Sequence, residues 1–205
     1  MRLEAARLYF VTPDTEPDAL LDMVAAAIRG GADVVQLRHK TLPRGELLQL
    51  ARRIQPLAVK NNRLFVVNDH VDIALLAEAD GVHLGPDDLS VTSARRVAGD
   101  RLMIGASASS VESAKQAVAD GAGYLGSGPA FATPIKAEKQ VIGPEGIAEI
   151  ARSVPVPVFG IGGIDASNIA QLTAAGVRRA CVIRAIGGAA DPEAAARTLR
   201  AMLDA

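Results

Sequence analysis

Apolar positions fall into short, β-branched-rich runs, separated by longer stretches in which they recur every three to four residues. The runs are residues 7–12, 34–37, 64–68, 81–84, 103–107, 124–128, 158–162 and 180–183. Strand-sized runs alternating with helical stretches are the rhythm of βα units. Stretches 18–29 and 44–60 show the helical spacing most fully, with charges on the opposite face. Pro43, Ser110 with Ser113, Asp165 with Ser167, and Asp191-Pro192 are expected at helix starts, and Gly30-Gly31, Gly121 and Gly176 at left-handed exits. Eight such units are best satisfied by closing the sheet, which removes its edges, so the pattern predicts a (β/α)8 TIM barrel spanning 1–205 as a single domain. An open doubly wound sheet is the alternative.

Composition narrows the picture. Ala, Val, Leu and Ile dominate, Trp is absent and aromatics make up 3% of the chain, which suits a buried parallel sheet under Ala-rich helices. The formal net charge is −1 and the basic residues are scattered, so nucleic acid is not an expected partner. Cys181 stands alone inside an apolar run and is expected to be a small buried hydrophobe. The first ten residues offer no apolar leader segment, and no apolar stretch is long enough for a membrane span, so a cytoplasmic protein is expected. Oligomeric state is left open, a homo-oligomer included.

Candidate chemistry gathers where the strand-like runs end, the face on which such barrels place their sites. Gln36, Arg38 and Lys40 alternate at the end of the second run, so one face presents an amide and two cations, which suits a diphosphate. Gln36 lies inside an apolar run and needs a ligand or a network, because an unpartnered buried polar group costs about 1 to 3 kcal/mol. Asn68-Asp69 closes the third run and Asp88 follows the fourth, so two carboxylates above neighbouring strands are placed to hold Mg²⁺, although a helix cap and a solvated turn are their bland alternatives. Gly162-Gly163 after the seventh run and Arg184 after the eighth form a plausible phosphate cradle. His83 is expected to be a satisfied interior residue, and His39 to point away from the Gln36–Lys40 face. Residues 131–143 lack periodicity and are expected to form a mobile charged loop over a site. Phosphorylated small molecules are the expected partners.

The chain resembles the thiamine phosphate synthase family, to which a thiazole tautomerase branch is related. The matching stretches are LYFVTPD at Leu8, GGADVVQLRHK at Gly30, FVVND at Phe65, ADGVHLGPDDL at Ala79, IGASASSVESA at Ile104, GYLGSGPAFATPIK at Gly123 and FGIGGI at Phe159. The resemblance implies condensation of 4-amino-2-methyl-5-hydroxymethylpyrimidine diphosphate with 4-methyl-5-(2-phosphoethyl)thiazole, giving thiamine phosphate and pyrophosphate through a pyrimidine methylene cation. By position it implies that Gln36, Arg38, Lys40, Asn68, Ser107 and Lys136 hold the pyrimidine diphosphate. Asp69 and Asp88 would bind Mg²⁺, and Arg38, Lys40 and Lys136 would act catalytically on the leaving group. Thr133, Gly163, Ile183 and Arg184 would line the thiazole phosphate site. Three residues depart from the family pattern: His70 where arginine is usual, Ile135 for a hydroxyl residue of that substrate-binding segment, and Arg184 for a serine. A tautomerase, or a phosphate-binding barrel without turnover, are the other readings; Ser107-Ala108-Ser109 lacks the histidine the tautomerase branch carries there.

Overall fold

The computed structural model describes residues 2–132 and 140–205. The apolar runs become parallel strands β1 Leu8–Val11, β2 Val34–Leu37, β3 Leu64–Asn68, β4 Gly81–Leu84, β5 Met103–Ala108, β6 Tyr124–Ser127, β7 Val158–Ile161 and β8 Ala180–Val182. They pair in chain order, and β8 returns to β1 through Leu8↔Ala180, Tyr9↔Cys181 and Phe10↔Val182. That last pairing closes the barrel and rules out the open sheet. Each strand lies within one residue of its expected bounds.

Around the barrel run α1 Pro17–Arg29, α2 Arg44–Lys60, α3 Val71–Leu76, α4 Val91–Ala98, α5 Val111–Ala119, α6 Gly143–Ser153 and α7 Ile169–Ala174, with α8 Arg184–Gly187 and α9 Pro192–Asp204 after β8. Ser110 and Ser113 form a reciprocal capping box on α5, and the Asp191 side chain accepts the Ala194 N–H at the start of α9. Asp165 and Ser167 differ from expectation. Both the N–H and the hydroxyl of Ser167 bond to Asp165, which shapes a turn ahead of α7 and leaves the cap position to Asn168. Gly31, Gly121 and Gly176 take positive φ as expected, whereas Gly30 is right-handed. Glycine is needed at position 30 for another reason: a Cβ there would lie 2.3 Å from the Glu193 carbonyl, where α1 meets α9.

Strands buried on both faces make two cores. Outward residues such as Phe10, Val35, Phe65 and Ile104 pack under Leu20, Val24, Leu50, Ile54 and Leu199 of the helices. Inward residues Tyr9, Val34, Val66, Tyr124, Phe159 and Cys181 fill the barrel, and Leu3 from a short 3-10 turn joins them at the N-terminal end. At that end Asp33 is 1% exposed and accepts the backbone N–H groups of Arg7 and Leu8. The same carboxylate pairs with Arg63 and Arg200. No helix among the described residues is long and apolar enough to cross a membrane.

Candidate active site

A cavity of about 720 Å³ opens at the C-terminal ends of the strands. Every expected site residue that lies among the described ones lines it: Gln36, Arg38, Lys40, Asn68, Asp69, Asp88, Ser107, Gly163, Ile183 and Arg184. Thr133, Ile135 and Lys136, with most of the expected 131–143 loop, lie outside the described residues.

The floor is a hydrogen-bonded aromatic layer. Gln36 Nε2 donates to the Tyr9 hydroxyl at 2.7 Å, and the Tyr9 and Tyr124 hydroxyls are 2.9 Å apart, so Gln36 does have the network its burial required. Phe159 stands edge-on to both tyrosines. The register explains how so large a group fits. Gly105 on β5 pairs with His83 on one side and Tyr124 on the other, and a Cβ at position 105 would lie 2.0 Å from Tyr124 Cζ. The missing side chain is therefore the slot for the Tyr124 ring. His83 faces the cavity, with its Nε2 3.1 Å from the Ser107 hydroxyl and its ring 5.5 Å from that of Tyr124. Burial drives the Tyr9 hydroxyl well above the ordinary tyrosine range, so it stays a neutral hydrogen-bonding group. Cys181 is a buried wall residue whose thiol is likewise pushed up by burial, which keeps it inert.

One side of the rim is charged. Lys40 Nζ lies 2.5 Å from Asp69 Oδ2, and Arg38 Nη1 donates to Asp14 Oδ2 at 3.2 Å. Asp69 adopts a left-handed φ of 64°, a conformation that Asp tolerates better than most residues, and its N–H is held by the His83 carbonyl at 2.8 Å. The cap position of α3 belongs to His70, so Asp69 is not the helix cap that its bland reading supposed. Asp88 accepts the Gly85 N–H at 2.8 Å, which turns its carboxyl back over β4 toward Asp69. Burial and the neighbouring Asp69 carboxylate raise Asp88. Burial alone would raise Asp69 too, but the neighbouring Asp88 carboxyl and the Lys40 ammonium outweigh it and hold Asp69 below the usual carboxylate range. Two neighbouring carboxyls of this kind are a donor set suited to a hard divalent cation. Among the described residues no group of three or more His, Cys, Asp or Glu is arranged for a metal.

The opposite side is built from backbone. Gly162 and Gly163 have φ of 99° and 65°, and a Cβ on Gly163 would fall 2.7 Å from the Ala132 carbonyl, so only glycine lets the two loops touch. Asn168 fastens the turn by donating to the Gly163 carbonyl at 2.7 Å and accepting the Asp165 N–H. Arg184 begins α8 beside this turn. The departure at His70 has a local use, since its Nδ1 lies 3.1 Å from Arg44 Nη1.

Tyr9, Tyr124, Phe159, His83 and Asp14 were not singled out from the sequence as site residues. Tyr9, Tyr124 and Phe159 sit in runs buried on both faces, where periodicity gives no inward or outward phase. Asp14 belongs to the LYFVTPD stretch, but its partners are 24 and 26 positions away.

A family model described as thiamine monophosphate synthase matches residues 8–186. A thiamine-phosphate synthase of Thermosynechococcus vestitus is 44% identical over 97% of this chain and 56% of its own length. One from Anaeromyxobacter dehalogenans is 44% identical over 100% of this chain and 90% of its own. The chain thus spans little more than half of the first relative and most of the second. A solved thiamine phosphate pyrophosphorylase from Pyrococcus furiosus superposes with a TM-score of 0.89 at 37% identity, covering 97% of this chain and 96% of that one.

Proposed function

From the premise that the chain belongs to the thiamine monophosphate synthase family, we propose that it joins 4-amino-2-methyl-5-hydroxymethylpyrimidine diphosphate to 4-methyl-5-(2-phosphoethyl)thiazole, as a transferase of thiamine biosynthesis. The products are thiamine phosphate and pyrophosphate. The observation that carries this reading is the convergence of an amide floor, a cation–carboxylate rim and a glycine turn on one cavity.

Gln36 and the aromatic floor hold the pyrimidine, while Asn68 and Ser107 flank its diphosphate. The methylene C–O bond breaks first and its electron pair leaves with pyrophosphate. The charge that builds on those oxygens is met by Arg38, Lys40 and, by family position, Lys136. Asp69 and Asp88 would hold Mg²⁺, which bound there would supply a Lewis acid for the diphosphate. The thiazole phosphate sits on Gly163, Ile183 and Arg184, with Thr133 completing that side by family position. Its ring nitrogen then donates a lone pair to the pyrimidine methylene cation, closing the C–N bond. A lone pair needs no deprotonation, so neither His83 nor His39 is required as a base. The enzyme acts as one barrel domain on soluble phosphorylated substrates, in the cytoplasm.

Incubation of the purified chain with both substrates and Mg²⁺, followed by chromatography, tests this directly. Thiamine phosphate is the expected product, and its absence from a folded preparation overturns the proposal.

A further inference from the structure

Asp14 ends the LYFVTPD stretch, and the proposed reaction gives it no task. Its carboxylate joins the connection after β1 to the connection after β2. Oδ1 accepts the Lys40 backbone N–H at 2.7 Å, and Oδ2 accepts Arg38 Nη1 at 3.2 Å. Two further clasps work beside it. The Thr12 hydroxyl accepts the Arg38 N–H and donates to the Arg38 carbonyl, both at 2.9 Å. His39 Nδ1 accepts the Leu42 N–H at 3.2 Å, which leaves Nε2 protonated to donate to the Thr15 carbonyl at 3.0 Å. Residues 38–43 belong to no helix or strand. The direction in which Arg38 and Lys40 project is therefore set by these side-chain hooks, and Asp14 supplies the one that reaches both residues, through the Lys40 backbone N–H and the Arg38 guanidinium.

We propose that Asp14 is a positioning residue for the diphosphate substrate: it stands outside the cavity lining and fixes the Lys40 backbone and the Arg38 guanidinium facing the anion. The inference rests on the reading of Arg38 and Lys40 as diphosphate contacts. Two effects of the carboxylate oppose each other. Its charge competes with a bound anion for Arg38, but that pair is partly exposed and screened. The bond to the Lys40 N–H is short and charge-assisted, and no other group replaces it. The hook outweighs the competition.

Calorimetric titration of inorganic pyrophosphate with Mg²⁺ into the native chain and into Asp14→Ala, Asp14→Asn and Lys40→Ala tests this, alongside KM for each substrate. Asp14→Ala is expected to weaken pyrophosphate binding about tenfold and to raise KM for the pyrimidine diphosphate to match, with KM for the thiazole phosphate nearly unchanged. Asp14→Asn retains an acceptor for the Lys40 N–H and is expected to stay within about threefold of native. Should the Ala chain not fold, Asp14→Glu, which keeps the charge but displaces it by one methylene, is expected to show the same loss. Native-like binding by Asp14→Ala, or by Asp14→Glu in its place, would overturn the inference and leave the diphosphate reading standing. An Asn variant as weak as the Ala variant overturns it too, since charge and not the hook would then carry the effect. If Lys40→Ala binds pyrophosphate as the native chain does, the diphosphate reading fails and takes the inference with it.

Discussion

The Lys40 ammonium lies 2.5 Å from Oδ2 of Asp69, so the cation proposed to meet the diphosphate and the carboxylate proposed to hold Mg²⁺ form one electrostatic unit across the ends of β2 and β3. Each holds the other in place before any ligand arrives, and preorganised charge of this kind is what stabilises a leaving group most effectively. Asp69→Asn tests the unit. Asn tolerates the left-handed backbone as well as Asp does, and the ion pair is half open to solvent on the lysine side. Unfolding free energy should therefore change by no more than about 1 kcal/mol. Turnover should fall roughly a hundredfold, with a raised Mg²⁺ requirement. Urea unfolding and a Mg²⁺ titration of activity measure both; loss of stability in step with activity would make Asp69 a structural residue.

Gly105→Ala examines the floor. The new methyl group would meet the Tyr124 ring at 2.0 Å, so the ring must leave its slot and pull on the Tyr9–Gln36 chain. Overpacking of this kind costs about 1 to 3 kcal/mol. Kinetics should show KM for the pyrimidine substrate rising, because the displaced ring enters its space. A native-like melt and native-like kinetics would show that the floor is plastic.

Asp33→Ala should separate stability from catalysis. This carboxylate is buried at the N-terminal end of the barrel, and its removal strands the Arg7 and Leu8 N–H groups and takes an ion-pair partner from Arg63 and Arg200. Breaking a buried pair in this way costs about 3 to 5 kcal/mol. The cavity is at the opposite end, so kcat per folded molecule at 25 °C should hold. A fall in kcat without loss of stability would contradict this division of the barrel into two ends.

Acid should weaken the Asp14 clasp. Burial alone would raise this carboxyl, but the Lys40 N–H and the Arg38 guanidinium outweigh it and hold it below the ordinary range. A carboxylate lowered in the folded state contributes stability fully above its unfolded value near 3.9, and loses it as pH falls through the lowered value. The difference in unfolding free energy between the native chain and Asp14→Asn should thus be flat above about pH 5 and shrink toward lower pH. A difference that grows on acidification contradicts the sign of the shift.

The barrel was legible in the sequence because β-branched runs and capped helical stretches alternate with few exceptions, and Ser110, Ser113 and Asp191 cap helices at the predicted places. Gln36 betrayed the inward face of β2, since an amide within an apolar run has to be explained. No comparable signal marked Tyr9, Tyr124 or Phe159, which look like ordinary core residues in strands buried on both sides. Gly105 was invisible for the opposite reason: its contribution is an absent side chain, recognisable only once the register sets it between His83 and Tyr124. His83 was expected to be interior, which its strand position suggested, but its place in the cavity beside Ser107 depends on a neighbour 24 residues away.

The central claim is that one cavity couples release of pyrophosphate to formation of a C–N bond. A ³¹P NMR time course with the native chain, Mg²⁺ and both substrates follows every phosphorus atom at once. The pyrimidine diphosphate signals should give way to pyrophosphate while the thiazole phosphate signal gives way to thiamine phosphate, one mole of each product, with no change when the thiazole phosphate is omitted or Mg²⁺ is chelated. Pyrophosphate appearing without thiamine phosphate, or no conversion at all by folded protein, would contradict it.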